Sequence, residues 1–175
     1  MIKEKNSVPL GREERIQMAI LNIIEEGDAL LRKTSRPVEE ITPRITRLLD
    51  DMIDTMRKAD GCGLAAVQVG VLRRICVIET EPGTVYELIN PKIIAFSGHQ
   101  ENPEGCLSVP GKASITSRPM HVTVRATNRN GEVYDLTGSD LLARCICHEV
   151  DHLDGKLFID EGIHLRPYTE SKKKK

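Results

Sequence analysis

The sequence predicts an α+β fold in which antiparallel β-sheets pack around a central helix, and this helix carries the motif HEVDH at positions 148–152. Two segments have the apolar spacing of an amphipathic helix, and segments between them alternate as strands do. Asn130-Gly131 separates two alternating segments, as in a tight hairpin. Because the helical segments do not alternate with single strands, a βαβ repeat is disfavoured.

The first helix is predicted over residues 42–60. Thr42 can cap its start, Pro43 suits the first helical position, and Gly61 suits its end. Apolar residues recur three or four positions apart within it, which predicts one face packed on the core. These residues are Ile45, Leu48, Leu49, Met52, Ile53 and Met56.

The second helix is predicted from Ser139, as its cap, to about Leu153, with Gly155 as its stop. An apolar run at 19–24 predicts a first strand or an extended arm. Further strands are predicted over residues 74–79, 85–89, 92–96, 122–127, 132–137 and 156–160.

The chain length of 175 residues suits one domain, which is predicted over residues 18–166. Residues 1–17 are polar and lack periodicity, so they are predicted to be a disordered leader or a non-native extension, with Met18 as the natural start. Residues 167–175 are predicted to be a basic flexible tail.

The composition argues against several classes of protein. The formal net charge is −1, aromatic residues make up 3% and there is no Trp, so no specific nucleic-acid partner is expected. The apolar stretches are too short to span a membrane, and no membrane partner is expected. Five cysteines, without a signal-peptide pattern, predict reduced thiols and a cytoplasmic location. The leader is short and contains three glutamates, unlike an organelle transit peptide, which favours a bacterial source.

The HEVDH motif predicts a metal hydrolase. His148 and His152 are four residues apart and share one helix face, where both imidazoles can bind one metal ion. Glu149 can reach a water molecule at that metal and act as a base. The alternative is a pair of surface histidines on a polar helix, which is disfavoured because the HExxH pattern rarely arises by chance in a chain of this size.

A catalytic metal site needs a third protein ligand and an open position. In the pattern HExxHxxGxxH the third ligand would stand where this chain has Phe158. Glu161 follows too closely to be the glutamate of a thermolysin-like site, and His164 lies beyond a predicted strand. Cys106, preceded by Gly105 in EGCLS, can be a thiolate ligand, although a lone cysteine is more often a small core residue.

A third motif, GCGLAAVQ at positions 61–68, follows the first helix. Its glycines and alanines leave room for another chain to lie against the backbone, and Gln68 is its one polar side chain. A tightly packed turn after the helix is the alternative. The Lys-Ser/Thr ending of a phosphate-binding loop is missing.

Together the three motifs, GCGLAAVQ, EGCLS at 104–108 and HEVDH, resemble the signature of the peptide deformylase family over residues 18–159. The resemblance implies hydrolytic removal of the formyl group from N-formyl-Met nascent peptides. It also implies a transient ribosome association, although the family's long C-terminal helix has no counterpart after residue 159.

The resemblance also implies roles for site residues. Cys106, His148 and His152 are the expected ligands of one divalent metal ion, Fe²⁺ in most members, with Zn²⁺ or Ni²⁺ as other occupants. Glu149 is the expected general base and then general acid. The Gln68 side-chain amide and the Leu107 backbone N–H complete the set as oxyanion donors.

By the same resemblance, the methionine side chain enters an apolar pocket, and the peptide backbone runs beside the GCGLAAVQ segment as an added strand. The expected substrate-binding residues are Gly61, Cys62, Gly63, Leu64, Gly105, Leu141 and Cys145.

Two alternatives stay open. The same helix with another third ligand would make a different metallohydrolase, such as a peptidase. The second alternative is an inactive deformylase-like binding protein or a structural zinc module. In the zinc module, Cys62 or Cys147 would be the fourth ligand. Glu149 and Gln68 argue against this second alternative, because a structural site needs neither.

Overall fold

The computed structural model describes residues 19–160 and 166–167. The predicted leader at 1–17, the predicted start at Met18, and His164 lie outside the described residues, as does the predicted tail beyond Pro167.

Both predicted helices are present. Helix α1 is Pro43–Lys58 and helix α2 is Asp140–Leu153. Thr42 and Ser139 occupy the two N-cap positions, but neither side chain makes a capping hydrogen bond, so side-chain capping is wrong as a prediction. Short 3-10 helices are formed by Ala29–Arg32 and Ala66–Val69. Within the described residues, no helix is long and apolar enough to cross a membrane.

Eight strands form two antiparallel sheets within the described residues. The larger sheet has five strands in the order β1-β2-β3-β6-β7, and the smaller has three in the order β4-β5-β8. The strands are β1 Gly63–Ala65, β2 Ile75–Glu81, β3 Thr84–Ser97, β4 Gln100–Cys106, β5 Val109–Arg118, β6 His121–Thr127, β7 Val133–Ser139 and β8 Arg166–Pro167. The α+β class with antiparallel sheets is confirmed.

The sequence prediction differs from the structure in several places, and the short strands β1 and β8 are among the elements that it lacked. The segments 85–89 and 92–96 belong to one strand, β3, which has a register shift between Ile89 and Lys92. Strands β4 and β5 were not predicted, because polar residues, Gly and Pro interrupt any apolar alternation. The predicted strand at 156–160 is wrong. This segment is a turn, because Asp160 bonds back to the Leu157 amide.

The larger sheet lies between the two helices. Ile75 and Val77 of β2 pack in the core cluster of α1, whereas Cys76 and Ile78 pack in the core cluster of α2. All four side chains are 0% exposed. Burial on both faces explains why this strand is a continuous apolar run instead of an alternating one.

An extended arm precedes the first 3-10 helix, as one of the two predictions for residues 19–24 anticipated. The Ile24 amide donates to the Gln68 carbonyl at 2.8 Å, and the Glu26 amide donates to the Ser108 carbonyl at 2.7 Å. The arm therefore joins the segment after β1 to the segment after β4.

Asn90 lies at the register shift of β3 and joins this strand to the segment that precedes α1. Its backbone has a φ of 52°, in the left-handed region. Its Oδ1 accepts from the Val38 amide and its Nδ2 donates to the Val38 carbonyl, both at 2.8 Å. One side chain thus satisfies both backbone groups of a buried residue.

We expect Asn90→Gly to lower the free energy of unfolding by about 2 kcal/mol, because two hydrogen bonds are lost while glycine tolerates the backbone. Asn90→Ala should lower it by about 1 kcal/mol more, because alanine adds left-handed strain. Urea unfolding of both variants measures the contribution of the hydrogen bonds and that of the backbone strain. Equal midpoints for wild type and Asn90→Gly would contradict this account.

Candidate metal centre

Three potential metal ligands meet where the end of β4 approaches helix α2. His148 and His152 lie on α2, with their Nε2 atoms 3.1 Å apart. Cys106 ends β4, and its Sγ lies 3.2 Å from the His152 Nε2. The three ligand atoms lie within 4.8 Å of one another. The predicted ligands from distant parts of the chain are therefore brought together.

The chemistry of this donor set fits a divalent metal ion. Two imidazole nitrogens and a sulfur converge on one point, and a thiolate with two neutral imidazoles suits Zn²⁺ and other transition metals. The spacing of His148 and His152 in the helix accounts for the first pair. Cys106 is held by the turn after β4, where the Ser108 amide donates to its Sγ at 3.4 Å.

Glu104 orients the first histidine, a role that the sequence reasoning missed. Its Oε1 lies 2.5 Å from the His148 Nδ1, which leaves Nε2 directed at the ligand cluster. Arg118 donates to both Glu104 oxygens, at 2.8 and 3.1 Å, and Thr116 donates to one at 2.6 Å. Burial opposes ionisation, but the bonds from His148 and Arg118 outweigh it and hold the Glu104 pKa well below its usual range.

The second histidine is in a different environment. His152 is 1% exposed, and its Nδ1 has no hydrogen-bond partner among the described residues. Burial, together with the nearby His148, lowers the His152 pKa well below its ordinary value. A neutral imidazole is the form that binds a metal.

Glu149 is a buried carboxyl group beside the ligands. It is 3% exposed, and its Oε2 has no hydrogen-bond partner among the described residues. Burial raises its pKa to about 8, against the opposing effect of His148. A carboxyl group with a pKa near neutrality can both take up and release a proton.

Gly63 makes room for this carboxyl group. A Cβ at Gly63 would overlap the Glu149 Oε1 and lie 2.8 Å from its carboxyl carbon. The glycine of the GCGLAAVQ motif is therefore required by the close approach of Glu149, in addition to any role in binding another chain.

Gln68 is buried, and its side-chain amide is fixed at both ends. Its Oε1 accepts from the Ala65 amide at 2.8 Å, and its Nε2 donates to the Ser108 hydroxyl at 3.1 Å. The same Nε2 lies 3.6 Å from the Cys106 sulfur. The side-chain amide nitrogen therefore lies beside the ligand cluster.

A pocket of about 410 Å³ opens onto these groups. Of the predicted substrate-binding residues, Leu64 does not line it, because this side chain is fully buried against the core cluster of α1. Arg144 and Lys112 also line the pocket and were not predicted. The predicted residues that line it are Gly61, Cys62, Gly63, Gln68, Gly105, Cys106, Leu107, Leu141, Cys145, His148 and Glu149.

Neither candidate for a fourth protein ligand belongs to the described ligand cluster. Cys62 shares a hydrogen bond with Cys145 instead, and Cys147 is buried in the core cluster of α2. Phe158 is 1% exposed and packs against Val109 and Leu157. These placements favour a site with an open position over a closed structural site.

We expect the protein to bind one divalent metal ion and Cys106→Ala to weaken this binding by more than the ~10–100-fold typical of changes to residues that support metal ligands. Cys147→Ala is the matched control, because it removes a neighbouring thiol outside the cluster, and it should retain the metal. Elemental analysis after dialysis against a weak chelator measures both. Loss of metal in the control would support a closed structural site.

Comparisons with known proteins show the family of this chain. The family model for polypeptide deformylase matches residues 20–168. The chain is 51% identical over 157 residues to a peptide deformylase of Agathobacter rectalis, covering 88% of this chain and 99% of that protein. It is 52% identical over 146 residues to one of Alkaliphilus metalliredigens, covering 83% and 99%.

Solved structures give the same result. A peptide deformylase from Legionella pneumophila has a TM-score of 0.78 and 44% identity, covering 80% of this chain and 84% of that chain. One from Ehrlichia chaffeensis in complex with actinonin has a TM-score of 0.79 and 40% identity, covering 81% and 87%. The chain therefore belongs to the peptide deformylase family, whose metal-dependent members remove the formyl group from N-terminal formyl-methionine.

Proposed function

We propose that this chain performs its family's reaction with Cys106, His148 and His152 as metal ligands and Glu149 as the base. The observation that carries the proposal is the convergence of a thiol and two imidazoles beside a buried carboxyl group. Cys106, His148 and Glu149 of this group line one pocket. The substrate is an N-formyl-Met nascent peptide, and the products are formate and a peptide with a free N-terminus.

One divalent metal ion, Fe²⁺ in the cell, is the proposed cofactor, and Zn²⁺ or Ni²⁺ fits the same ligands. When bound, the ion lowers the pKa of water and polarises a carbonyl group. The availability of each metal decides occupancy, because the intrinsic affinity order favours Zn²⁺ over Fe²⁺.

Glu149 moves the proton in this proposal. Its carboxylate takes a proton from the water molecule that attacks the formyl carbon, and it then gives that proton to the departing amine nitrogen. Burial raises the pKa of this group to about 8, which makes the carboxylate a stronger base for the first step. Gly63 leaves room for the carboxyl group beside strand β1, because a Cβ there would overlap it.

Two donors stabilise the oxyanion that develops on the formyl oxygen. The Gln68 amide is one, and its bonds to the Ala65 amide and the Ser108 hydroxyl fix its orientation before substrate binds. The Leu107 backbone N–H is the other, next to Cys106 in the chain. Leu107 also lines the pocket.

The proposed peptide position uses one edge of the larger sheet. Strand β1 is at the edge of the larger sheet and pairs only with β2 among the described strands. A substrate backbone can add to this edge beside Gly61 and Gly63. The methionine side chain then enters the pocket lined by Cys62, Leu141 and Cys145.

We also propose a bacterial cytoplasmic location, supported by bacterial relatives such as the Agathobacter rectalis protein. A role in protein biosynthesis follows from the formylated substrate. The transient ribosome association stays a prediction, because the lysines at 172–175 are outside the described residues.

We expect Glu149→Gln to reduce formate release from a short N-formyl-Met peptide by about 10²–10⁴-fold, because the amide cannot take up the proton. The bound metal should remain, since Glu149 is not a ligand. Glu39→Gln, an exposed change, is the matched control. An N-acetyl-Met peptide and an unformylated peptide test for the alternative peptidase, which would cleave an internal peptide bond in either of them. Cleavage of an internal peptide bond, or no formate from metal-loaded wild type, would refute the proposal.

We expect Gln68→Glu to lower kcat by about 10²–10³-fold, because a carboxylate cannot donate to the developing oxyanion. The substitution keeps an oxygen that can accept from the Ala65 amide. Steady-state kinetics and thermal unfolding of the same sample separate the roles. A large fall in unfolding temperature with kcat unchanged would make Gln68 structural only.

A further inference from the structure

Cys62 and Cys145 form a pair of thiols in the wall of the pocket. Their sulfur atoms are 3.0 Å apart, and both residues line the pocket. Cys62 is exposed, whereas Cys145 is 6% exposed. All five cysteines fall within the described residues, and no other two of them share a hydrogen bond there.

The fold holds the two thiols together from separate elements. Cys62 immediately precedes β1, and its carbonyl accepts from the Glu79 amide at 2.9 Å. Cys145 lies within α2 and packs in the core cluster of that helix. Because β1 and α2 are in contact, the approach of the two sulfurs is set by the packing and does not depend on a flexible loop.

We propose that Cys62 and Cys145 are an oxidative modification site at which a hydroperoxide forms a reversible disulfide across the pocket. A disulfide has an S–S distance of about 2.05 Å, so the two sulfurs need to approach by only about 1 Å from their present contact. The metal ligand Cys106 takes no part in this bond.

The reaction balances with hydrogen peroxide as the oxidant. The exposed Cys62 thiolate attacks a peroxide oxygen, forms a sulfenic acid and releases hydroxide, which is protonated to water. The Cys145 thiol then attacks that sulfur, and its proton leaves with the displaced hydroxide as a second water molecule. Two thiols and one peroxide thus give one disulfide and two water molecules. An excess of a dithiol reverses the bond.

The disulfide has a direct consequence for the pocket. It joins the segment between Gly61 and Gly63 to helix α2, and it replaces two separate thiols by one rigid bridge on the wall. This consequence rests on the proposed function, in which the methionine side chain enters the pocket there. Formation of the bond does not depend on that function.

The test uses the full chain loaded with Ni²⁺, so that ferrous iron does not itself react with peroxide. After treatment with hydrogen peroxide, alkylation and digestion without reductant, we expect a linked peptide that contains Cys62 and Cys145. Dithiothreitol should remove it, and the metal content should not change. Separate alkylated peptides of Cys62 and Cys145, or a disulfide that contains Cys106, would overturn the proposal.

Activity on an N-formyl-Met peptide tests the consequence. Peroxide should lower kcat/KM by about tenfold or more, which corresponds to about 1.4 kcal/mol in substrate recognition. Dithiothreitol should restore kcat/KM. Cys145→Ser should form no linked peptide and should keep its own untreated activity after peroxide. Cys76→Ala, which removes a core thiol away from the pocket, should still form the link.

The outcomes separate the two proposals. An equal loss of activity in wild type and Cys145→Ser would assign the damage to another group and overturn the role of the pair. A linked peptide with unchanged kcat/KM would overturn its effect on the pocket. If the untreated protein releases no formate, the proposed function fails, and the peptide map still decides whether the disulfide forms.

Discussion

The arrangement of the site depends on a buried ionic network that joins the smaller sheet to helix α2. Glu104 comes from β4 and Arg118 from β5, and both are less than a tenth exposed. Arg118 donates to Glu104 and also to Asp151 of α2 at 2.6 Å. Glu104 in turn bonds to His148. The ligands come from two structural units, and this network sets the distance between them.

Breaking such a network by removing one member leaves a buried charge unpaired, which typically costs about 3–5 kcal/mol. This sensitivity suits a metal site. Small movements of β4 against α2 would separate Cys106 from the two histidines, and a fully bonded network permits few such movements. The N-terminal arm adds a second constraint, because its backbone bonds to the segments after β1 and β4 and so holds Gln68 and Ser108 together.

The sequence predicted the parts of the molecule that local patterns determine. Both helices, strand β2 and the β6-β7 hairpin follow from apolar spacing and from Asn130-Gly131, because each pattern directly reflects burial of one element. Helical spacing also predicted the meeting of His148 and His152. The predicted strand at 156–160 was wrong because Leu157 and Phe158 are both buried in a turn, which an apolar run alone does not distinguish from a strand.

Other features depend on contacts between distant segments. Strands β4 and β5 lack apolar alternation, and they are strands because they pair with each other. Arg118 has no local signal that connects it with Glu104, fourteen residues earlier. The choice of Cys106 as third ligand came from resemblance, since elimination left a lone cysteine ambiguous. Glu104 and Ser108 stand on either side of Cys106 in EGCLS and could have indicated a polar site. Their residue types alone did not predict which groups they bond to.

Two of the three buried polar groups without a hydrogen-bond partner among the described residues lie on helix α2. Glu149 and His152 each have a buried polar atom without a hydrogen-bond partner among the described residues, and each such group costs about 1–3 kcal/mol. Both are on α2, which packs against β1, β2, β6 and β7 and buries Ile146, Val150 and Leu153. Packing of this extent offsets unsatisfied groups that a surface loop would relax into water. A site that needs an unpaired carboxyl group and a free imidazole is therefore best placed on a buried helix.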